Sequence, residues 1–477
     1  MILSQTAIEL QDGKIGGEDT MTKNLIRTSG FLTAAVMTAA LTACGADKET
    51  AAENKSEAKT KIISTDQNGE SKGGEGEITF AWWGGDSRHE ATEKAIEAFM
   101  KKYPDIKVTP EYGAWSGWEQ KQSLALSSGT GADMMQINWN WIDNYGKDGT
   151  TFMDLNQFSD IIDLTQFPED VLEQCSINGK LMGIPVSNTG CLFMWNKTTF
   201  DTVGCEIPTD RESLFEAGKK FKEYDEGYYP LVIDGGYSRM IFMVYYLESV
   251  YGKPWVENGE LQYTETEIQD GLEFMTELEE GHVIPTLAVT YGDMSDSTDK
   301  NPKWIDGKYA GIFSWDNTVI KMEDAIKESI NVANQELVIG EFLKFGKYQG
   351  GFTKVSMAYA IPSTCKNPKA AATLINYLLN DPEGIEICSL ERGIPLSAAG
   401  ASVVEEKGLG DQRLIKANKD VLAYSKFPLD PKFDSGMLKA TPDGVYEKIF
   451  GKLSAGEYDA VQAAKALIDG INEALAE

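Results

Sequence analysis

The stretch EITFAWWGGDSRHEATEKAIEAFMKKYPDIKVTPEY, residues 77–112, contains the pattern that decides the fold. Apolar residues alternate and then run on through 77–83, which predicts a core strand. Helical apolar spacing follows and predicts a helix over 87–103, with Asp86 as its N-cap and Pro104 just beyond its end. Residues 105–112 predict a second strand, so a strand–helix–strand unit opens the folded region.

The same alternation continues along the chain. Because strands and helices alternate, we expect an α/β architecture with a parallel sheet. No internal repeat is present. The further predicted helices are 118–127, 211–224, 238–251, 266–280, 368–380 and 458–475, and the further predicted strands are 132–138, 308–315 and 355–361.

Length and charge exclude several classes of protein. With 477 residues, and about 150 residues per domain, the chain predicts two to three domains. It carries 74 acidic and 44 basic residues, a formal charge of −30. Such a surface repels nucleic-acid phosphates and anionic lipid, so we expect neither a nucleic-acid partner nor membrane binding by charge alone.

The N-terminal residues are typical of an address signal. Residues 21–43 combine a basic start with a short apolar run, the pattern of a secretory signal peptide. They end at LTACG, which resembles a lipobox and predicts lipidation of Cys44. Residues 1–20 are acidic and indicate a mis-called start. Residues 44–76, a lipidated cysteine and polar residues, predict a flexible tether.

Motifs for catalysis and metal binding are missing from the sequence. It has two histidines, His89 and His282, and no G-x-S-x-G, H-E-x-x-H, phosphate-loop or EF-hand pattern. We therefore expect no catalytic residues, no cofactor and no metal. Five cysteines follow Cys44 without zinc-like spacing, and we expect no structural disulfide among them.

Several strings in order along the chain are similar to one family. Residues 77–477 resemble the family 1 extracellular solute-binding proteins of ABC importers. AWWGGDSRHEAT (81–92) and ERGIPLS (391–397) are similar to the binders of rhamnogalacturonan and oligogalacturonides. The strings are ITFAWWGG (78–85), SSGTGADMMQIN (127–138), NGKLMGIPVSNTGCLFMWNK (178–197), IDGKYAGIFSW (305–315), NPKAAATLINYLLNDPEG (367–384) and ERGIPLS (391–397).

The resemblance implies a two-lobe α/β periplasmic-binding-protein-like fold of type II, like maltose-binding protein. A hinge with several chain crossings would join the lobes around a ligand cleft. Lobe one would hold 77–186 and 318–379, and lobe two 190–314 and 384–477.

The resemblance also implies a function. The chain would be a lipid-anchored, monomeric binding protein on the outer side of the cell membrane, extracellular or periplasmic according to the cell type. It would capture a carbohydrate, an oligosaccharide, and deliver it to the permease of an ABC transporter. A secreted glycoside-active enzyme and a surface adhesion protein are the alternatives.

Tryptophans beside polar residues follow three successive predicted strands, where ligands of open α/β sheets bind. Indole faces cover the apolar faces of sugar rings, while polar groups bond the hydroxyls. Since Trp82 and Trp83 face opposite ways, we expect Trp83 in the cleft. Trp141 and Trp195 are expected to be structural. The other candidates from these strand ends are Trp115, Trp118, Asn138 and Trp139.

Charged residues near the first strand extend this candidate site. Arg88, in the first turn of a helix, can clamp a uronate carboxylate, although a surface ion pair is its alternative role. Acidic and neutral sugars both remain open. The remaining candidates are Asp86, Trp315, Asp316 and Arg392, together with Asn188 and Tyr237, which the family resemblance suggests.

Overall fold

The computed structural model describes residues 74–115, 117–293 and 297–476, which belong to the compact unit Thr65–Glu477. The predicted false start, the signal peptide, Cys44 and nearly all of the tether lie outside the described residues. Those four interpretations therefore stay predictions.

The strands are β1 (Gly76–Trp83), β2 (Ile106–Gly113), β3 (Met134–Asn138), β4 (Ser176–Ile177), β5 (Lys180–Leu181), β6 (Ile184–Asn196), β7 (Val256–Glu257), β8 (Glu260–Leu261), β9 (Gly311–Trp315), β10 (Leu337–Ile339), β11 (Phe352–Ala360) and β12 (Phe427–Pro428). Four strands of the main sheet, β1, β2, β6 and β11, have eight or more residues, and the others are short.

The helices pack around these strands. They are α1 (Asp86–Lys102), α2 (Trp118–Ser127), α3 (Asn140–Gly146), α4 (Glu169–Glu173), α5 (Lys197–Val203), α6 (Arg211–Tyr224), α7 (Gly236–Tyr251), α8 (Glu265–Glu280), α9 (Leu287–Gly292), α10 (Pro302–Ile305), α11 (Val319–Lys327), α12 (Pro368–Asn380), α13 (Pro382–Cys388), α14 (Ala398–Lys407), α15 (Gln412–Tyr424), α16 (Gly436–Lys439), α17 (Val445–Ser454) and α18 (Ala460–Ala476).

The predicted α/β architecture is confirmed, with two local differences. α1 begins at Asp86, and its N-cap is Gly85, so Asp86 lies inside the first turn and its side chain makes no capping bond. β3 begins at Met134 because the Asp133 carboxylate accepts hydrogen bonds from the backbone N and the hydroxyl of Thr79. That side-chain bond replaces strand pairing at the predicted start.

The main sheet is mixed. Its order is β10-β6-β11-β3-β1-β2, with β12 beside β11 and β9 beside β6. β1 is parallel to both β2 and β3, as the strand–helix alternation predicts. β11 enters antiparallel between β3 and β6, so the parallel expectation holds for the first three strands and for the short pairing of β12 with β11, but not for the rest of the sheet.

Two long strands connect separate apolar cores. Ile184 and Val186 of β6 lie in a first core with β1, β3 and α12, whereas Phe193 and Trp195 lie in a second core with α7 and α8. A third cluster flanks the second and includes Leu192 of the same strand. β11 divides in the same way, because Phe352 belongs to the second core and its residues from Val355 onward to the first.

Packing at two places differs from the predicted division into lobes. Val319 and Met322 of α11 pack in the third cluster with Leu192. This packing does not support the predicted assignment of 318–352 to the first lobe. Ile387 and Leu396 pack against the first core, although 384–397 were assigned to the second lobe. An apolar face predicts that a helix packs against a core, but it does not identify which core the helix covers.

The part of the chain that the structure describes contains neither a candidate membrane-spanning helix nor a disulfide. Within it, no helix is both long enough and apolar enough to span a bilayer. The five described cysteines are free thiols: Cys175, Cys191 and Cys365, which are buried, and Cys205 and Cys388, which are half-buried.

Candidate functional site

A cavity of about 330 Å³ opens between the first core and the other two. This volume is at the lower end of the range for small-molecule sites. Six predicted site residues line it: Trp83, Arg88, Trp115, Asn138, Trp315 and Arg392. The other lining residues are Thr189, Asn317, Lys354, Ser356, Met357, Leu390, Glu391, Gly393 and Leu414.

Indole rings form one wall of this cavity. Strand alternation buries Trp82 completely and places Trp83 in the cavity lining, and ligand contact by Trp83 stays a prediction. The rings of Trp83 and Trp115 have centroids 5.0 Å apart and are inclined by 58°. Trp115 is 42% exposed, so it offers an apolar face at the cavity mouth. Such a surface suits a ligand that is flat and partly apolar.

Arg88 reaches the cavity from the first turn of α1. Its Nε donates to the carbonyl of Glu391 at 2.8 Å, and its Nη1 donates to the carbonyl of Trp83 at 3.1 Å. Gly84 leaves the necessary space, since a Cβ there would lie 2.6 Å from Cδ of Arg88. Burial, and then the nearby guanidinium of Arg392, lower the pKa of Arg88 to about 10.

Arg392 is the second guanidinium at the cavity, and it is only 5% exposed. Its Nε donates to Oε1 of Gln136 at 2.8 Å, and its Nη2 donates to the hydroxyl of Thr92 at 2.9 Å. Its Nη1 has no hydrogen-bond partner among the described residues. Both arginines thus bond neutral groups, and within 74–115, 117–293 and 297–476 neither forms an ion pair with a carboxylate.

Two guanidinium groups without an ion-pair partner among the described residues make this part of the cavity locally positive, and the carboxylate of Glu391 in the same lining offsets part of that charge. The alternative role predicted for Arg88 is a surface ion pair with an acid. The described residues do not form such a pair, since Arg88 donates to main-chain carbonyls instead. Because a buried cation lacking a counter-ion is costly, an anionic group entering the cavity would be stabilised there. The sequence suggested this chemistry for Arg88, and the fold brings Arg392 to the same place.

Lys354 on β11 is a third cation in the lining, and sequence reasoning missed it. It is 8% exposed, and its ammonium lies 4.5 Å from the ring centroid of Trp315. It forms an ion pair with the buried carboxylate of Asp434. Its one sequence signal is a charged residue inside the otherwise uncharged strand FTKVSMAYA.

Asp434 stays ionised although it is 1% exposed. Burial by itself would raise its pKa, but the ammonium groups of Lys354 and Lys439 lower it to about 2. Its Oδ1 accepts a 2.6 Å hydrogen bond from the hydroxyl of Tyr237. The main-chain carbonyl of Asp434 accepts from the side-chain amide of Asn140 at 2.9 Å, which joins α3 to this network.

The other predicted ligand-binding residues lie outside the lining of the main cavity. Trp118 is buried under α2, and the indole of Trp139 donates to the carbonyl of Gln174 at 2.8 Å. Asp86 is exposed on α1. The hydroxyl of Tyr237 donates a hydrogen bond to Asp434.

Asn188 and Asp316 line a smaller adjoining cavity. Asp316 is buried, and its carboxylate accepts from the hydroxyl of Thr189 and the amide of Asn418. Burial raises the pKa of Asp316, and those donors oppose the rise. These contacts make both residues part of the link between β6 and α15, and ligand contact by them stays a prediction.

Metal binding has no candidate cluster in the described ranges. No group of three or more His, Cys, Asp or Glu side chains there is placed to hold a metal ion.

Comparisons with known proteins identify the family. Residues 94–403 match the profile of bacterial extracellular solute-binding proteins, and the chain belongs to this family. A solved periplasmic solute-binding protein of Pectobacterium atrosepticum is 30% identical, with a TM-score of 0.76. The alignment covers 84% of this chain and 98% of that protein. The fold is therefore the periplasmic-binding-protein-like fold of the maltose-binding-protein type, as the sequence predicted.

Two further relatives differ in how much they cover. A periplasmic oligogalacturonide-binding protein of Yersinia enterocolitica, solved in complex with saturated digalacturonic acid, is 29% identical with a TM-score of 0.75. That alignment covers 84% of this chain and 98% of the other. A curated binding protein of Brucella abortus is 26% identical over 116 residues. This match spans 24% of the present chain and 28% of the relative's length.

Proposed function

We propose that this chain is the substrate-binding protein of an ABC importer and that it captures an acidic oligosaccharide. The observation that carries the proposal is a single cavity lined by indole rings and by two guanidinium groups without carboxylate partners. The Yersinia protein binds an oligogalacturonide, a ligand in which every ring carries a carboxylate. The same combination of apolar ring faces and anions would suit the cavity described here.

The overall charge of −30 would disfavour an anionic ligand, but the charge inside the cavity is locally positive. A surface so rich in acids repels an anionic ligand at long range, but salt screens that field within about 8 Å at physiological ionic strength. The cavity lining contains three cations, Arg88, Arg392 and Lys354, against the carboxylate of Glu391 and that of Asp434, which is paired with Lys354, so a positive charge remains. We therefore favour an acidic sugar over a neutral one.

We further propose that the two lobes follow the apolar cores. One would contain 76–186 and about 355–409, and the other 190–352 and about 410–476, with crossings in β6, in β11 and before α15. The positions where β6 and β11 pass between cores support this division. Ligand binding would shift the population toward a form in which the lobes close on the cavity.

Attachment and delivery complete the proposal. Lipidation at Cys44 would hold a monomer on the outer side of the membrane, and the permease of the importer would receive the sugar from the closed form. Residues 44–76 would be the tether. The chain itself would catalyse no reaction, in keeping with its family of binding proteins.

A thermal-unfolding series tests this function. Digalacturonate and trigalacturonate at saturating concentration are expected to raise the midpoint, because a ligand that binds only the native state stabilises it. At a hundred times the Kd, the gain is about 2.7 kcal/mol. Maltotriose serves as the neutral comparison and is expected to have little effect. A larger rise with maltotriose, or cleavage of any of these sugars, would contradict the proposal.

Trp83→Ala is expected to weaken binding of the same sugars by about 1 kcal/mol or more, because it removes an aromatic face from the cavity wall. Isothermal calorimetry measures the change. Tyr224→Ala, an exposed aromatic at the end of α6 that does not line the cavity, is the matched control and is expected to leave affinity unchanged. Equal affinities for the wild type and the Trp83 variant would remove this indole from the site.

A further inference from the structure

We propose that Lys354 determines specificity by binding a ligand carboxylate and that Asp434 acts as its positioning residue. This inference rests on the proposed function and adds a pair of residues to it. It begins from the location of a nearly buried ammonium group in the cavity wall.

Lys354 retains donors for an occupant of the cavity. Among the described residues, its Nζ has one hydrogen-bond acceptor, Oδ2 of Asp434. An ammonium group has three donors, so two remain. The group also lies over the indole of Trp315, a half-buried ring that lines the same cavity. A sugar ring against Trp315 would therefore bring its substituents close to the ammonium.

Asp434 is itself held in one orientation. Its two carboxylate oxygens receive Tyr237 and Lys354, and its main-chain carbonyl receives Asn140 of α3. Being 1% exposed, it has no room to turn toward solvent. Asp434 does not line the cavity, so its effect on a ligand would pass through Lys354.

The chain offers a matched control for this lysine. Lys439 also lies near Asp434, with Nζ 3.7 Å from the same oxygen. The same Nζ lies 5.8 Å from the ring centroid of Tyr237. Unlike Lys354, Lys439 is absent from the cavity lining. Lys354→Gln and Lys439→Gln therefore remove the same charge beside the same aspartate, but only the first removes a charged donor from the cavity lining.

Calorimetry with digalacturonate and its dimethyl ester separates the two roles. Lys354→Gln is expected to lower affinity for the acid by about tenfold or more, the typical range for losing a hydrogen bond to a charged group, and for the ester by less than about threefold. Lys439→Gln is expected to change both affinities by less than about threefold. Lys354→Arg keeps the charge and is expected to restore most of the preference for the acid.

Asp434→Asn tests the positioning role. The amide keeps the shape and an acceptor, but it releases the ammonium from a fixed ion pair, so the acid-over-ester preference is expected to fall by about threefold or more. The double variant Lys354→Gln/Asp434→Asn, which removes both members of the Lys354–Asp434 ion pair, replaces Lys354→Gln if that protein fails to fold. It is expected to lose the preference to the same extent.

Three results would overturn the inference. Equal losses in Lys354→Gln and Lys439→Gln would show that both lysines act only through stability. Equal losses for acid and ester would show that Lys354 does not recognise charge. If wild-type protein binds neither sugar, the proposed function fails as well, whereas a wild type that prefers the acid while Lys354→Gln keeps that preference refutes this inference alone.

Discussion

Arg88→Gln is expected to reduce affinity for digalacturonate by about thirtyfold to a hundredfold while leaving a neutral sugar within about threefold. Hydrogen bonds to charged groups contribute about 1.5–3 kcal/mol, and a guanidinium can bind a carboxylate through two of them. The cation at this position is unfavourable in the empty cavity, since burial and the neighbouring Arg392 already lower its pKa to about 10. A carboxylate entering the cavity would relieve that cost.

Arg88→Lys is the informative companion variant, measured by calorimetry on the same two sugars. It preserves the charge but loses the planar fork, so an intermediate affinity for the acid is expected. Because Arg88 also bonds the carbonyls of Trp83 and Glu391, both variants need a melting curve to show that the fold survives. A uniform loss for acidic and neutral sugars would indicate that Arg88 only supports the loop at Glu391.

The first part of the site was predictable because local rules govern it. Alternation along β1 places Trp82 in the core and Trp83 at the cavity, and the helix that follows carries Arg88 to the same edge. The sequence 77–112 contains all of these signals within one strand–helix–strand unit. Neighbours of this kind can be inferred from periodicity alone.

The rest of the site depends on contacts between distant segments. Lys354 and Asp434 are 80 residues apart, and nothing local in either segment indicates the other. Arg392 was a candidate, but its bonds to Thr92 and Gln136 come from α1 and β3. Tertiary pairing of this kind also explains Trp118 and Trp139, whose spacing suits a cavity wall but whose side chains the fold buries.

Which apolar core each helix covers could not be derived from element order. α11 has a clear apolar face, and the sequence offered two cores for that face to cover. In the structure it packs with Leu192 and the neighbouring cluster. A pattern of helices and strands thus predicts the layers of this fold more securely than the points at which the chain crosses between them.

A buried carboxyl in α7 supports the other large expected effect. Glu248 is 1% exposed, and burial raises its pKa from an ordinary 4.5 to about 8, although a 2.7 Å hydrogen bond from the backbone N of Gly351 opposes the rise. The folded state therefore binds a proton that the unfolded state releases near pH 4.5. This contribution to stability is complete below pH 4.5 and is lost as the pH rises to about 8.

Glu248→Gln is expected to remove this pH dependence. Each pH unit across that interval costs about 1.4 kcal/mol of unfolding free energy, so the total is about 5 kcal/mol as an upper limit. Near pH 4.5 the amide resembles the protonated acid, and the two proteins are expected to agree within about 1 kcal/mol. At pH 8.5 the variant is expected to be clearly more stable, because the wild type must bury a charge or take up a proton there.

Denaturant unfolding at several values between pH 4.5 and 8.5 measures the difference between variant and wild type, in which contributions from other titrating groups cancel. Glu97→Gln, an exposed glutamate on α1, makes the same chemical change without burial and is expected to leave the difference flat. Parallel stability curves for wild type and Glu248→Gln would show that Glu248 is ionised in the folded protein throughout. In that case water or a structural rearrangement would have to solvate it, because among the described residues Gly351 supplies one donor to a carboxylate with room for about four.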